Sequence, residues 1–181
     1  MAANVKSDVE FENLVKDYFD KSKFTSSVKA EFSELFIKYS RYPEVKMFCL
    51  EIIKNSYELS KKTYEDLQKV DFRESVKKEL YDAIMRHNYL ADVHDVSLEA
   101  QKSITKEHNE TVDKINKSTS EKSTNTMKIK NIRLRKEKAR LEELNENLNK
   151  TTTKTYKESQ KAKTTINKRI EKLEKKANKR R

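Results

Sequence analysis

Three histidines (His87, His94, His108), one cysteine (Cys49) and two clusters of lysine and arginine are the side chains whose types and spacing point to chemistry. His87 and His94 stand seven positions apart, and Asp95 follows directly. That is short of the tight four-ligand spacing of a structural zinc site, so the expectation is no metal centre. Cys49 lies in the apolar run Met47-Phe48-Cys49-Leu50. Alone in the chain, it has no internal disulfide partner, and its setting predicts a buried, inert thiol. The many carboxylates sit in polar segments where i,i+4 pairing to lysine is the ordinary arrangement. No glycine occurs anywhere in the 181 residues. Glycine-rich phosphate loops and strained nucleophile turns are hard to build without it. The expected class is therefore a protein that binds and spaces, with no catalytic residues, no cofactor and no small-molecule substrate.

The basic clusters carry the remaining chemistry. Lys128, Lys130, Arg133, Arg135, Lys136, Lys138 and Arg140 form the first; Lys168, Arg169, Lys172, Lys175, Lys176, Lys179, Arg180 and Arg181 form the second. Residues 1–95 hold 16 basic and 18 acidic side chains, whereas 96–181 hold 25 and 12. A net charge of +13 over the second stretch exceeds what solubility requires. It points either to attraction for a polyanion (nucleic acid, the acidic surface of a microtubule, anionic lipid) or to a solvated coiled-coil exterior. The polyanion candidates are Lys128, Lys130, Arg133, Arg135, Lys136, Lys175, Lys176, Lys179, Arg180 and Arg181. Past residue 90 the only aromatic side chain is Tyr156, which disfavours stacking on unpaired bases.

Helices must position these groups. Fourteen of the fifteen Phe and Tyr residues precede residue 90, so only the first stretch can bury a substantial core. Ser7-Asp8-Val9-Glu10 has the form of a capping box, followed by the apolar face Phe11, Leu14, Val15, Tyr18 and Phe19. A second helix is expected from Thr25 or Ser26, with Val28, Phe32, Leu35, Phe36 and Tyr39 inward. Pro43 suits the first turn of a third helix running to about residue 69. Asp71-Phe72-Arg73-Glu74 would open a fourth, with Val76, Leu80, Ala83, Ile84 and His87 on one side. From Asp95 or Ser97 onward no glycine or proline interrupts the chain. A continuous helix there would reach roughly 130 Å, with Ser118–Thr126 as a weak point. Met127, Leu134, Leu141 and Leu148 recur every seven residues, with Leu144 between; Ile166, Ile170 and Leu173 mark a second seam, one residue out of phase. The intervening Asn149–Thr165, rich in threonine and lysine, has no apolar stripe. Residues 20–45 and 68–93 also align without gaps at an offset of 48, suggesting paired helical hairpins.

The stretch Phe11-Glu-Asn-Leu14-Val15-Lys-Asp-Tyr18-Phe19, with Phe24 after the turn and Val28-Lys29-Ala30-Glu31-Phe32 beyond, resembles a LisH motif. With Phe36-Ile37 it is most similar to the variant found in the FOP family of centrosomal and basal-body proteins. Lys23 occupies the turn position usually held by glycine. The resemblance implies a helical hairpin over about 8–40 acting as a dimerisation device, with Leu14, Val15, Tyr18, Phe19, Phe24, Val28, Phe32 and Phe36 as its core.

The combined expectation is an all-α chain. A four-helix head of helical hairpins (1–95) would precede a basic coiled-coil tail (96–181). The expected role is a structural adaptor that self-associates through head and coiled coil, as a homodimer or with another coiled-coil protein. The place implied is a centrosome, basal body or microtubule in the cytoplasm. The alternatives are a nucleic-acid or chromatin accessory protein, with nuclear location, and a subunit of a hetero-oligomeric helical complex. No apolar run is long enough for a membrane span.

Overall fold

The computed structural model describes residues 8–21, 26–118 and 121–179. It is all-α: α1 (Asp8–Asp20), α2 (Ser26–Tyr39), α3 (Pro43–Gln68), α4 (Glu74–Lys117) and α5 (Glu121–Asn178), with no strand among the described residues. Phe24, Thr25, Arg180 and Arg181, and Ser7 of the capping box, lie outside the described residues.

Local signals account for most helix limits. Tyr42 is extended (φ −92°, ψ 116°), as a residue before proline prefers, and Pro43 takes the first turn of α3. α4 begins at Glu74 after an extended Arg73, which makes no side-chain cap. No described residue has positive φ, in keeping with the absence of glycine. The chain turns by other means. α3 ends in tight i→i+3 turns, with Lys69 N–H donating to the Asp66 carbonyl at 3.2 Å and Val70 N–H to the Leu67 carbonyl at 3.4 Å.

α1, α2 and α3 gather on the first half of α4 around an aromatic centre. Tyr18 and Phe19 meet edge to face at 5.0 Å between centroids, and Phe19 meets Phe36 the same way at 5.1 Å. Tyr18 and Tyr89 meet at 4.8 Å between centroids, their rings tilted 55° to one another. Phe11, Val15, Tyr18, Phe19, Phe36, Val45, Cys49 and Ile53 are almost fully shielded from solvent. Each such side chain contributes about 1.5–3 kcal/mol by leaving water.

The helical stretch expected from near residue 97 to the end is two helices. α4 passes through residues 95 and 96 unbroken, and Ser118 (φ −82°, ψ 130°) leaves the helix in an extended conformation. α5 then folds back antiparallel along α4. Contacts climb from just before α4 and along it as they descend α5: Arg169 bonds the carbonyl of Asp71, in the link ahead of α4, His87 meets Thr155, Asn145 meets Gln101, and Arg135 meets His108. At 1.5 Å per residue α5 is about 87 Å long. The fold-back has an apolar cause. Leu134, Leu141 and Leu148 join the same buried cluster as the aromatics of α1 and α2. Farther along, Ala162 and Ile166 close a second cluster with Leu67, Val70 and Ile84.

The α5 seam corrects the expected phase break. Buried positions run Leu141, Asn145, Leu148, Thr152, Thr155, Ser159, Ala162 and Ile166. Their spacing alternates four and three without interruption, which is one continuous heptad seam. A heptad has two inward positions; leucine marks one in the first half and isoleucine the other in the second. Small polar residues fill the interval. The Thr152 hydroxyl donates to the Leu148 carbonyl at 2.9 Å and Thr155 to Thr151 at 3.3 Å, so these hydroxyls are satisfied inside the seam.

Candidate functional site

The first cluster of basic side chains projects from the opposite side of α5. Lys128, Arg133, Arg135, Lys136 and Arg140 are all exposed. The inward residues Leu134 and Leu141 hold the helix with this face outward. At 100° per residue, Ile132 and Lys136 lie 160–200° around the helix from Leu134. Glu137 is the one carboxylate between 128 and 141, and it turns inward. Its carboxylate accepts from the Tyr39 hydroxyl at 2.6 Å and pairs with Lys38, which holds it below the usual range despite partial burial. Lys130 is likewise drawn aside, to Glu107 at 2.7 Å. Arg135 Nε donates to His108 Nε2 at 3.3 Å. What remains outward is an uninterrupted cationic strip with two half-exposed isoleucines, Ile129 (55% exposed) and Ile132 (56%). Lys175, Lys176 and Lys179 are exposed near the far end of α5.

The residues assigned to a LisH-type core pack together. Val15, Tyr18, Phe19, Phe32 and Phe36 are buried within one chain, and Leu14 and Val28 pack against the same cluster. Of the coiled-coil seam, Leu134, Leu141, Leu148 and Ile166 are buried, while Met127, Leu144, Ile170 and Leu173 are half-buried.

A polar clamp lies beneath the aromatic centre, built from three helices. The Tyr18 hydroxyl (α1) and the Ser56 hydroxyl (α3) both donate to Oδ2 of Asp92 (α4), and Tyr18 also reaches Ser56 Oγ at 3.3 Å. Desolvation pushes the Asp92 carboxyl up to about 6, against the two hydroxyl donors that favour its ionised form. Beside it is a cavity of about 280 Å³ lined in part by Tyr18, Tyr57, Tyr81 and Tyr89. Their hydroxyls are engaged internally. Tyr57 donates to Asp17 at 2.9 Å, Tyr81 pairs with Ser60, and Tyr89 donates to the Tyr18 carbonyl at 3.3 Å. Tyr18 serves Asp92 as above.

His87 sits against Tyr156 (5.5 Å between rings) and Thr155 Oγ1 (3.1 Å); burial, with Lys163 nearby, lowers its proton affinity. The Cys49 thiol is buried and pushed up to about 12 by desolvation. Among the described residues no three His, Cys, Asp or Glu side chains gather as metal ligands, and no helix is long and apolar enough to cross a membrane.

Sequence reasoning missed Asp92 and Ser56, whose partners lie 36 to 74 positions away. It also missed Asn145, Thr152, Thr155 and Ser159, although their spacing continues the leucine repeat. No family model, curated protein or solved structure matches the chain.

Proposed function

We propose that this chain is a non-enzymatic structural adaptor that docks on an acidic surface through the outer face of α5. The observation that carries the reading is the sorting of charge on one helix. Inward positions anchor α5 to α4, the single local carboxylate is tied to α2, and the outward basic side chains are left to solvent. A row of cations about three turns long gives salt-sensitive attraction to a regularly acidic partner. The resemblance of residues 11–37 to LisH proteins of the centrosome favours a cytoskeletal polymer such as a microtubule as that surface.

Co-pelleting with microtubules over a salt series tests the reading. Binding should weaken steeply with salt, and the double substitution Arg133→Glu/Lys136→Glu should weaken it by at least about tenfold. The Leu141 seam is untouched by that pair, so helicity should not change. Salt-independent binding, or binding indifferent to the two reversals, would overturn the assignment.

A further inference from the structure

The cationic strip has a counterpart on the same molecule. Between α3 and α4 lies an open groove of about 620 Å³ with an apolar floor of Met47, Phe48 and Leu50. Glu44, Glu51 and Glu99 rim it together with Lys54; Glu99 also pairs with Lys102 at 3.0 Å and Glu44 accepts from the Ser103 hydroxyl at 3.2 Å, which leaves the rim acidic through Glu44 and Glu51. Met47 is 45% exposed, and Leu98 beside Glu99 is 37% exposed. These are large apolar side chains left in water next to carboxylates. On α5 the pattern has the same shape and opposite sign: Ile129 and Ile132 flanked by Lys128, Arg133 and Lys136. Met47 and Leu50 are three residues apart, as are Ile129 and Ile132. Glu44 and Glu51 are seven apart, as are Arg133 and Arg140, so the charges in each pair are separated by about 10 Å along their helices. A nucleic-acid backbone would satisfy the cations but has no use for the isoleucines.

From this complementarity we propose that the α5 strip of one copy docks in the Glu44/Glu51/Glu99 groove of a second copy. The proposal rests on the reading of the strip as a docking face and gives that face a further occupant, another copy of the chain. The two patches cannot meet within one chain or close a reciprocal pair. Glu99 is two residues from Gln101, which faces α5 through Asn145. Two residues turn an α-helix by about 200°, so the groove opens on the flank away from α5. A copy can therefore donate its strip to one neighbour and its groove to another, a head-to-tail contact that propagates into rings or filaments.

Sedimentation velocity on the full chain tests this. The wild-type chain should grow beyond a dimer between low and high micromolar concentration, and the growth should weaken at least about tenfold in affinity from about 0.05 to 0.3 M salt. Two charge-reversed variants, Glu51→Lys/Glu99→Lys and Arg133→Glu/Lys136→Glu, should each be monomeric. Mixed one to one, they should regain the assembly that neither forms alone, because each then carries the complement of the other. Glu51, Arg133 and Lys136 are exposed and Glu99 is half-buried beside Lys102; circular dichroism checks folding, and Ile132→Gln, which leaves every charge in place, should also weaken assembly. A wild-type monomer at high micromolar concentration in low salt would overturn the proposal, as would a mixture that stays monomeric. The microtubule pelleting assay on the same samples separates the two ideas. A monomer that still pellets in a salt-sensitive way refutes self-docking and leaves the adaptor reading standing.

Discussion

Replacing Asp92 with asparagine should remove a pH dependence of stability that the fold itself creates. In the folded chain Asp92 is desolvated among three helices, and its carboxyl holds a proton up to about pH 6. In the unfolded chain the same group titrates at its ordinary 3.8. The folded state thus binds the proton more tightly, and stability from this group falls as pH rises from below 3.8 through about 6. Above that window the loss is complete and flat. A difference of about two pKa units corresponds to about 3 kcal/mol, of which about 2 kcal/mol falls between about pH 4 and about pH 7. Asparagine keeps an acceptor for Tyr18 or Ser56 but never carries the charge. Urea unfolding followed by far-UV circular dichroism, at several pH values across the window, reads the difference between the two proteins. Other carboxylates contribute equally to both and cancel. The variant should gain on the wild type by about 2 kcal/mol as pH is raised. Tyr18→Phe, which removes one donor to the carboxylate, should move the upper limit of the window to higher pH. Parallel stability curves for wild type and Asp92→Asn would refute the reasoning, since they would mean that the carboxylate is as well solvated in the fold as out of it.

Two further tests address the α4–α5 hairpin. Leu141 is 1% exposed in the cluster shared with the aromatic centre, so Leu141→Ala should cost about 3–4 kcal/mol in urea unfolding, whereas Ile132→Ala on the outer face should cost under about 1 kcal/mol. Equal small losses would mean that α5 does not pack on α4. The Ser159 hydroxyl is fully buried with no hydrogen-bond partner, so Ser159→Ala should raise stability by about 1 kcal/mol, read as a higher melting temperature; a lower one would contradict the assignment.

What was legible in the sequence was local. Pro43 marks the start of α3 because its ring fits only the first turn, and the apolar faces of α1 and α2 follow from 3.6-residue periodicity. The weak point expected at Ser118 is where α4 leaves the helix. The direction of α5 was not legible. Nothing local distinguishes a helix that continues from one that returns, and the contacts that fix the return are spread over pairs such as Gln101 with Asn145. Threonine and serine at 152, 155 and 159 hid the seam, because polar residue types at inward positions do not register as an apolar stripe. The basic strip was visible as a cluster of residues. Its sorting to one face, with Glu137 withdrawn to Tyr39, required the position of α2.

The lack of positive φ at any described residue has an evolutionary corollary. Connections that rely on a left-handed backbone admit few residue types and are fixed early. Here the links around 40–42, 69–73 and Ser118 impose no such steric veto, so most side chains are admissible there. Related chains should drift freely at these joints while keeping the four-and-three rhythm of α5, since an insertion of one residue in that helix would rotate every inward group out of place.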